Sequence, residues 1–466
     1  MESGIRPPRL CSSEDRERVR MKSHQQIIRS VNDEAGKQPA SFNEKTKNMR
    51  QAKNSLIVIL LFYLAASIVN SRLVPTGQTG YQNAPDEEAH VHYIQSLYRG
   101  HLPSIADQKF DRLKQSYEWH QPPLYYLVEL PFLKLGVHAM RSVSIGLGCL
   151  SILLIFFTAL QLFPDSPWIA VSGSGVAAFT PGFISINSAI NNDSLLIVLF
   201  SLFFLTLTIL FKNNFPMKSS LFMGAIIGAA ILTKGTGILL VFLFAASVLI
   251  QISTGNNRKK VLISGTLSII FCALISGWWF LLNQVRFHQL IPFQAFSSEF
   301  QGTAQASTMA YRLGGWGKYW QLAAIFTFQS YWAVYGTKAL AHQGIPAFLP
   351  EQAYLLPLLI CIGSIYGMFQ LHIQRAKLFS KAQLHTIWIL MVSIVMLFAA
   401  YAAFLSHYFQ TQGRYLYPAI LPISLFITIG WGAIFPERYK TLAVQALPVV
   451  FFLITLIFLT AVWSAS

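Results

Sequence analysis

The sequence predicts an all-α polytopic membrane protein with about 11 transmembrane helices, within a range of roughly 10 to 13. Hydrophobic residues make up 53% of the 466-residue chain and charged residues only 12%, which is too apolar for a soluble protein of this length. Apolar runs of about 18 residues or more, long enough to cross the roughly 30 Å core of a bilayer, recur from residue 54 onward.

The N-terminal residues 1–53 are polar and basic, and we expect a disordered or loosely helical cytoplasmic tail there. The apolar run 54–72 has no small-residue cleavage site after it, so we interpret it as an uncleaved signal anchor. The basic tail keeps the N-terminus in the cytoplasm and sends the chain after residue 73 to the outer face. Residues 54–466 are expected to form one integral membrane domain.

The net charge of +16 does not indicate nucleic-acid binding. Beyond the tail, lysine and arginine stand mostly in short clusters between apolar runs, as topology signals do. A nucleic-acid-binding protein would instead carry a basic patch on a soluble face. The four scattered cysteines form no CxxC pair and predict neither a zinc site nor a disulfide framework.

The segment 122–137 decides the predicted topology. If it stays on the outer surface as an interfacial helix, all four later basic clusters face the cytoplasm, as the positive-inside rule requires. If it crosses, all four face outward. We therefore predict an interfacial helix, a first outer loop at 73–138 and a long outer loop at 283–350. The predicted spans are 54–72, 140–162, 168–187, 194–211, 219–233, 236–252, 261–282, 353–372, 385–405, 416–434 and 442–463.

An acidic stretch, YQNAPDEEAHVHY, follows the first span. Its seven positions from 86 to 92 hold Asp86, Glu87, Glu88, His90 and His92. A capped surface helix is one interpretation, with a proline near its start and acids in its first turn. Three acids exceed what capping requires, and close carboxylates suit a general base or a cation site.

Four later positions are candidates for the same site, and each has a structural alternative. His120 stands in an HQPPLYY segment that also fits an interfacial aromatic belt. Asp193 opens an apolar span, where an N-cap is the simpler explanation. Lys234 and Arg414 border apolar runs, where snorkelling competes with binding of an anionic headgroup. The predicted topology brings all four to the outer face.

The motifs PDEEAH, HQPPLYYL and an Asn-Asp at the start of a later span, in this order, resemble the GT-C superfamily. These are membrane glycosyltransferases that use polyprenyl-phosphate sugars, such as the aminoarabinose and protein-mannosyl transferases. TKGTG is similar to their Lys-Gly turn. SYWAVYG and QGRYLYP are similar to a bacterial branch of predicted membrane proteins. The resemblance covers most of residues 54–435.

The resemblance implies a GT-C-like fold and an inverting sugar transfer with a carboxylate base. It implies Asp86 as the base with Glu87 beside it. Lys234, Arg414, His120 and Tyr415 would bind the substrate or its phosphate. Asp193 and His90 would be supporting acids or metal ligands. It also allows a divalent metal ion, held by Asp86 and Asp193.

The implied partners are a polyprenyl-phosphate-linked sugar donor, a lipid or glycan acceptor and membrane lipids, with no nucleic acid. The expected location is the cytoplasmic (inner) membrane, with the active site on the extracytoplasmic side. A transporter or flippase, or a non-catalytic assembly protein for lipid-linked saccharides, is the alternative. A transporter should carry ionisable groups near the midplane or two matching halves, and the sequence shows no internal repeat.

Overall fold

A computed structural model gives the fold of most of the chain. The described residues are 42–74, 84, 86–103, 109–111, 114–116, 118–255, 257–292, 297, 304–335 and 347–465. Most of the predicted tail lies outside them, because they begin at Phe42. Residues Ala52–Ser466 form one compact unit.

Helices dominate the described part of the chain. They are α1 (Phe42–Leu73), α2 (Glu87–Tyr98), α3 (Leu124–Glu129), α4 (Val137–Leu162), α5 (Pro167–Ala178), α6 (Pro181–Asn187), α7 (Asp193–Lys212), α8 (Met217–Ile231), α9 (Leu239–Thr254), α10 (Arg258–Phe287), α11 (Ala306–Leu313), α12 (Trp316–Trp332), α13 (Gln352–Leu378), α14 (Lys381–Leu405), α15 (Ile420–Ala433) and α16 (Glu437–Ala465). The 3₁₀ segments that matter below are Glu118–His120, Leu130–Leu135, Gly235–Ile238 and Gly413–Ala419. A short antiparallel hairpin, β1 (Lys109–Asp111) and β2 (Lys114–Ser116), lies between α2 and α3.

The predicted all-α membrane architecture is confirmed. In the described residues, nine helices are long and apolar enough to cross a bilayer, and the bent pair α5–α6 would make ten. Helix α8 is apolar but shorter. These segments fall where the sequence predicts spans, and the number eleven stays a prediction. Helix α1 begins at Phe42, ahead of the predicted start at residue 54.

The segment 122–137 is not the single interfacial helix that the sequence predicts. It forms the six-residue α3 and a six-residue 3₁₀ segment, with Pro131 at the start of the latter. Proline cannot donate the backbone hydrogen bond that would continue α3, which explains the change. The Leu124 amide donates to the Leu232 carbonyl at 2.9 Å, so the start of α3 is held on the end of α8.

The predicted span 168–187 is a broken helix in the structure. Helices α5 and α6 meet at an angle of 65°. Thr180 is extended at the break, as expected for a residue that precedes a proline, and Pro181 begins α6. The bend leads the chain into the buried link 188–192, which positions the start of α7.

Helix α7 is buried on nearly all its faces. Other pairs of helices in the bundle approach each other closely. A Cβ at Gly224 would lie 2.2 Å from the Ser268 carbonyl oxygen, so α8 and α10 are in backbone contact there. A Cβ at Gly367 would lie 1.9 Å from the Gly430 carbonyl oxygen, and α13 packs on α15 in the same way. Small residues at such crossings are typical of helices that associate in a membrane.

Candidate active site

Asp86 and Arg414 form an ion pair although 328 positions separate them. Asp86 precedes α2 with φ 68, and its side chain makes no capping hydrogen bond to that helix. Asp tolerates this left-handed backbone better than most residues. Its carboxylate Oδ2 accepts from Nη2 of Arg414, whose Nε donates to Gln412 Oε1 at 2.6 Å. The carboxylate therefore points to a cation and does not act as a helix cap.

Asp193 and Lys234 form a second ion pair, with Nζ 2.5 Å from Oδ1. Asp193 begins α7, and Lys234 precedes the 3₁₀ segment Gly235–Ile238 that follows α8. The Asp193 amide donates to Oδ1 of Asn191 at 2.8 Å, and the N-cap residue Asn192 makes no side-chain capping hydrogen bond. The carboxylate of Asp193 is the group that pairs with the lysine.

Tyr415 lies between the two pairs. Nζ of Lys234 is 5.8 Å from the centre of its ring, and the Arg414 guanidinium carbon is 5.4 Å from it. The Tyr415 hydroxyl donates to Gln410 Oε1 at 3.0 Å. Both cations thus lie within cation–π distance of the same aromatic ring, and this attraction adds to the ion pairs.

His90 is buried beside these charges. Its Nδ1 is 3.0 Å from the hydroxyl of Tyr126, and the Tyr126 ring stacks on Tyr93 at 3.7 Å. Burial lowers the pKa of His90 to about 3, and although Asp86 opposes that effect, the cations Lys234 and Arg414 add to it. The imidazole is therefore neutral over the physiological pH range.

Asp86, His90 and Glu118 could hold a metal ion. One oxygen or nitrogen atom from each lies within 4.8 Å of the others. Two carboxylates and a neutral imidazole suit zinc, manganese or iron. The resemblance pairs Asp86 with Asp193 for this role, whereas here Asp193 Oδ1 is bound to Lys234. Glu118 was not among the residues expected from the sequence.

Glu87 faces away from this cluster, towards Arg141. Its Oε2 accepts from Arg141 Nη2 at 2.6 Å, and its Oε1 accepts from Arg141 Nε at 2.8 Å and from the Ile190 amide at 3.0 Å. Arg141 Nη1 also donates to the carbonyls of Ser71 and Val74. We call this group the Glu87–Arg141 clamp, because it joins the end of α1, the starts of α2 and α4, and the link before α7.

A second buried carboxyl, that of Glu129, lies at the end of α3. Glu129 Oε1 accepts from the Tyr125 hydroxyl at 3.0 Å, and that hydroxyl is 3.1 Å from Ser144 Oγ. Burial raises the pKa of Glu129 to about 8. His120, in contrast, ends the 3₁₀ segment Glu118–His120 with its ring edge-on to Trp119, so its predicted phosphate contact stays a prediction.

The structure thus brings together Asp86, His90, Asp193, Lys234, Arg414 and Tyr415, and turns Glu87 towards Arg141. The sequence interpretation did not include Arg141, Glu118 or Tyr126. For Arg141 a signal existed, because an arginine inside a predicted span requires a counter-charge.

Two comparisons with known proteins agree with this architecture. Residues 120–279 match the family of dolichyl-phosphate-mannose-protein mannosyltransferases. The apo oligosaccharyltransferase of Archaeoglobus fulgidus superposes with a TM-score of 0.55 at 13% identity, over 89% of this chain and 56% of that one. The chain has the GT-C fold. It spans little more than half the length of the archaeal enzyme.

Two further GT-C structures are similar. AglB from Archaeoglobus fulgidus, in complex with an inhibitory peptide and a dolichol-phosphate, has a TM-score of 0.55 at 13% identity, covering 89% of this chain and 56% of its own. Apo ArnT from Cupriavidus metallidurans has a TM-score of 0.51 at 14% identity, covering 89% of this chain and 78% of its own. No curated protein matches significantly by sequence.

Proposed function

We propose that this protein is an inverting glycosyltransferase that moves a sugar from a polyprenyl-phosphate donor to a lipid or glycan acceptor. The observation that supports this most directly is the pairing of Asp86 with Arg414 beside Asp193–Lys234, around Tyr415. Such a cluster offers a base and two phosphate-binding cations within one site. The match to the mannosyltransferase family, and the dolichol-phosphate in the AglB complex, support the choice of donor.

In this mechanism Asp86 accepts the proton of an acceptor hydroxyl. The hydroxyl oxygen attacks the anomeric carbon of the donor sugar, and the bond from that carbon to the phosphate oxygen breaks. The electron pair leaves with the polyprenyl phosphate. Attack from the opposite side inverts the configuration, and Asp86 then returns its proton to water.

Lys234 and Arg414 stabilise the leaving phosphate as its negative charge grows. Arg414 suits a planar, bidentate contact and Lys234 a point charge. The side chain of Arg414 is 10% exposed and that of Lys234 17% exposed, so each acts where water screens charge poorly. Asp86 and Asp193 neutralise them before the donor arrives.

Glu87 receives a different role from the one expected, and so does the set of metal ligands. Both oxygens of Glu87 are bound within the clamp, so we propose that Glu87 positions Asp86 and does not accept the proton. Asp86, His90 and Glu118 would be the ligands of a divalent metal ion, which would supply Lewis-acid chemistry at this site.

We also propose that the site faces the extracytoplasmic side, with the N-terminus in the cytoplasm. The basic clusters after α7, α9, α13 and α15 would then all lie in the cytoplasm, as the positive-inside rule requires. The candidate site lies at the other ends of these helices.

The test is a transfer assay with purified protein, a panel of polyprenyl-phosphate sugars, and lipid and glycan acceptors. We expect Asp86→Asn to lower kcat by at least about a hundredfold, since general-base catalysis contributes about that much or more. Asp165→Asn, an exposed acid between α4 and α5, is the matched control and should retain full activity. Equal activity of Asp86→Asn and wild type would refute the assignment of the base. Donor binding without transfer by the wild type would favour a transporter.

A further inference from the structure

Four buried polar side chains at the start of α7 and the end of α1 have atoms without a hydrogen-bond partner among the described residues. The atoms are Asn70 Nδ2 and Oδ1, Asn192 Nδ2, Asp193 Oδ2 and Ser194 Oγ. None of these residues is more than 2% exposed. Buried polar atoms in native proteins nearly always have a partner, and each one left without costs about 1–3 kcal/mol. A concentration of them at one place indicates a ligand.

Local helix structure does not satisfy these groups. Several buried hydroxyls elsewhere in the chain donate to the carbonyl four residues earlier, as those of Thr208 and Ser247 do. Ser194, in the first turn of α7, makes no such bond in the described structure. The N-cap residue of α7, Asn192, makes no side-chain capping hydrogen bond, and its Nδ2 has no partner among the described residues.

Asn70 faces the same region from α1. Residues 67, 70 and 74 share one side of a helix. Ser188 Oγ donates to the Ser67 carbonyl at 3.1 Å, and Val74 packs against Ala189. Asn70 therefore lies on the face of α1 that lines the link leading into α7.

We propose that Asn70, Asn192, Asp193 Oδ2 and Ser194 form the subsite for the hydroxyl groups of the donor sugar. The inference rests on the proposed function. The sugar of such a donor is bonded directly to the phosphate, and the proposed phosphate ligand Lys234 is 2.5 Å from Asp193 Oδ1. A phosphate bound by Lys234 would bring the sugar next to the carboxylate of Asp193, whose other oxygen, Oδ2, has no partner among the described residues.

The chemistry of the subsite selects a class of sugar. A carboxylate oxygen, two amides and a hydroxyl can accept from and donate to ring hydroxyls, and each hydroxyl needs both kinds of partner. The only charge in the set is negative. A sugar bearing a carboxylate would therefore be repelled, so the subsite fits a glycosyl group without a negative charge.

The test compares two ligands: a polyprenyl phosphate carrying a neutral hexose, and the same polyprenyl phosphate without a sugar. Their affinities are measured in detergent for the wild type and for the variants Asn192→Ala and Ser194→Ala. We expect each variant to lose about threefold to tenfold in affinity for the sugar-bearing lipid and nothing for the bare lipid phosphate. Ser201→Ala is the matched control, because Ser201 is equally buried and lacks a described partner on the same helix, away from the phosphate ligands.

The outcomes separate this inference from the proposed function. Equal losses for both lipids, or no loss, would overturn the subsite, with water the remaining occupant of these polar groups. Equal binding of a donor with a uronic acid would overturn the assignment of a sugar without a negative charge. If the wild type gains affinity from the sugar yet transfers it to no acceptor, the proposed function fails and the subsite stands. If the wild type transfers sugar but binds both lipids equally, the subsite fails and the proposed function stands.

Discussion

Breaking the Glu87–Arg141 clamp should destabilise the protein strongly. Glu87→Gln removes the negative charge from the side chain whose two oxygens accept from Nε and Nη2 of Arg141. The arginine side chain is 0% exposed and would retain, among these contacts, only the carbonyls of Ser71 and Val74. A buried cation without its counter-charge is the costly half of a broken ion pair.

The expected cost is about 3–5 kcal/mol, the usual result of removing one partner from a buried pair. Replacing both charges, with Glu87→Gln and Arg141→Met together, should recover much of the loss, because no charge is then left buried. The matched control is Glu437→Gln, since Glu437 pairs with Lys440 at 3.2 Å with side-chain exposures of 72% and 40%. That exposed pair should contribute at most about 1 kcal/mol.

The assay is thermal unfolding of the purified variants in one detergent, with sugar transfer measured beside it. We expect Tm to fall clearly for Glu87→Gln, to recover in the double variant and to stay unchanged for Glu437→Gln. Sugar transfer by the double variant should remain below that of the wild type even where Tm recovers, because the Glu87–Arg141 clamp no longer positions Asp86. A Tm of wild-type value in Glu87→Gln, or losses that add in the double variant, would show that the clamp does not stabilise the fold.

Three further predictions concern single residues. The pKa of Glu129 is about 8 in the folded protein and about 4.5 in the unfolded chain. The free energy of unfolding should therefore fall by up to about 1.4 kcal/mol per pH unit as the pH rises from about 4.5 to about 8. A plot of Tm against pH for Glu129→Gln that keeps the wild-type slope would contradict this. Gly413→Ala should lower Tm and activity, because its Cβ would lie 2.3 Å from the Tyr331 amide nitrogen, whereas Gly146→Ala, with open space around it, should change neither. Arg414→Lys should raise KM for the donor by about tenfold or more, since the bidentate contact is lost while a charge remains; an unchanged KM would remove Arg414 from the phosphate site.

Much of the fold follows from the sequence because long apolar runs have few alternatives in a bilayer. The failures have local causes. The break between α5 and α6 was signalled by Thr180–Pro181, and the apolar residues on both sides concealed it. Pro131 similarly divides the segment 122–137 into α3 and a 3₁₀ segment. Strands β1 and β2 have little β-branched or alternating character, and the sequence did not predict them.

The candidate site was only partly predictable. Asp86, Asp193, Lys234 and Arg414 stand out because charges are rare beside apolar runs, but the sequence does not say which acid pairs with which cation. From the sequence, Asp86 could not be distinguished from a helix cap. In the structure its backbone is left-handed and its side chain makes no capping hydrogen bond to α2. Such pairings depend on how distant helix ends meet, and no local pattern encodes that.

The pairing of Asp86 with Arg414 also bears on how the protein is made. A chain that enters the membrane from its N-terminus presents Asp86 long before Arg414, 328 positions later, has been synthesised. Until then the acid has no partner from the Gly413–Ala419 segment, and the proposed phosphate site lacks one of its two cations. Under the proposed mechanism, transfer therefore begins only after nearly all the helices have been inserted, and an incompletely assembled chain does not act on lipid-linked sugars.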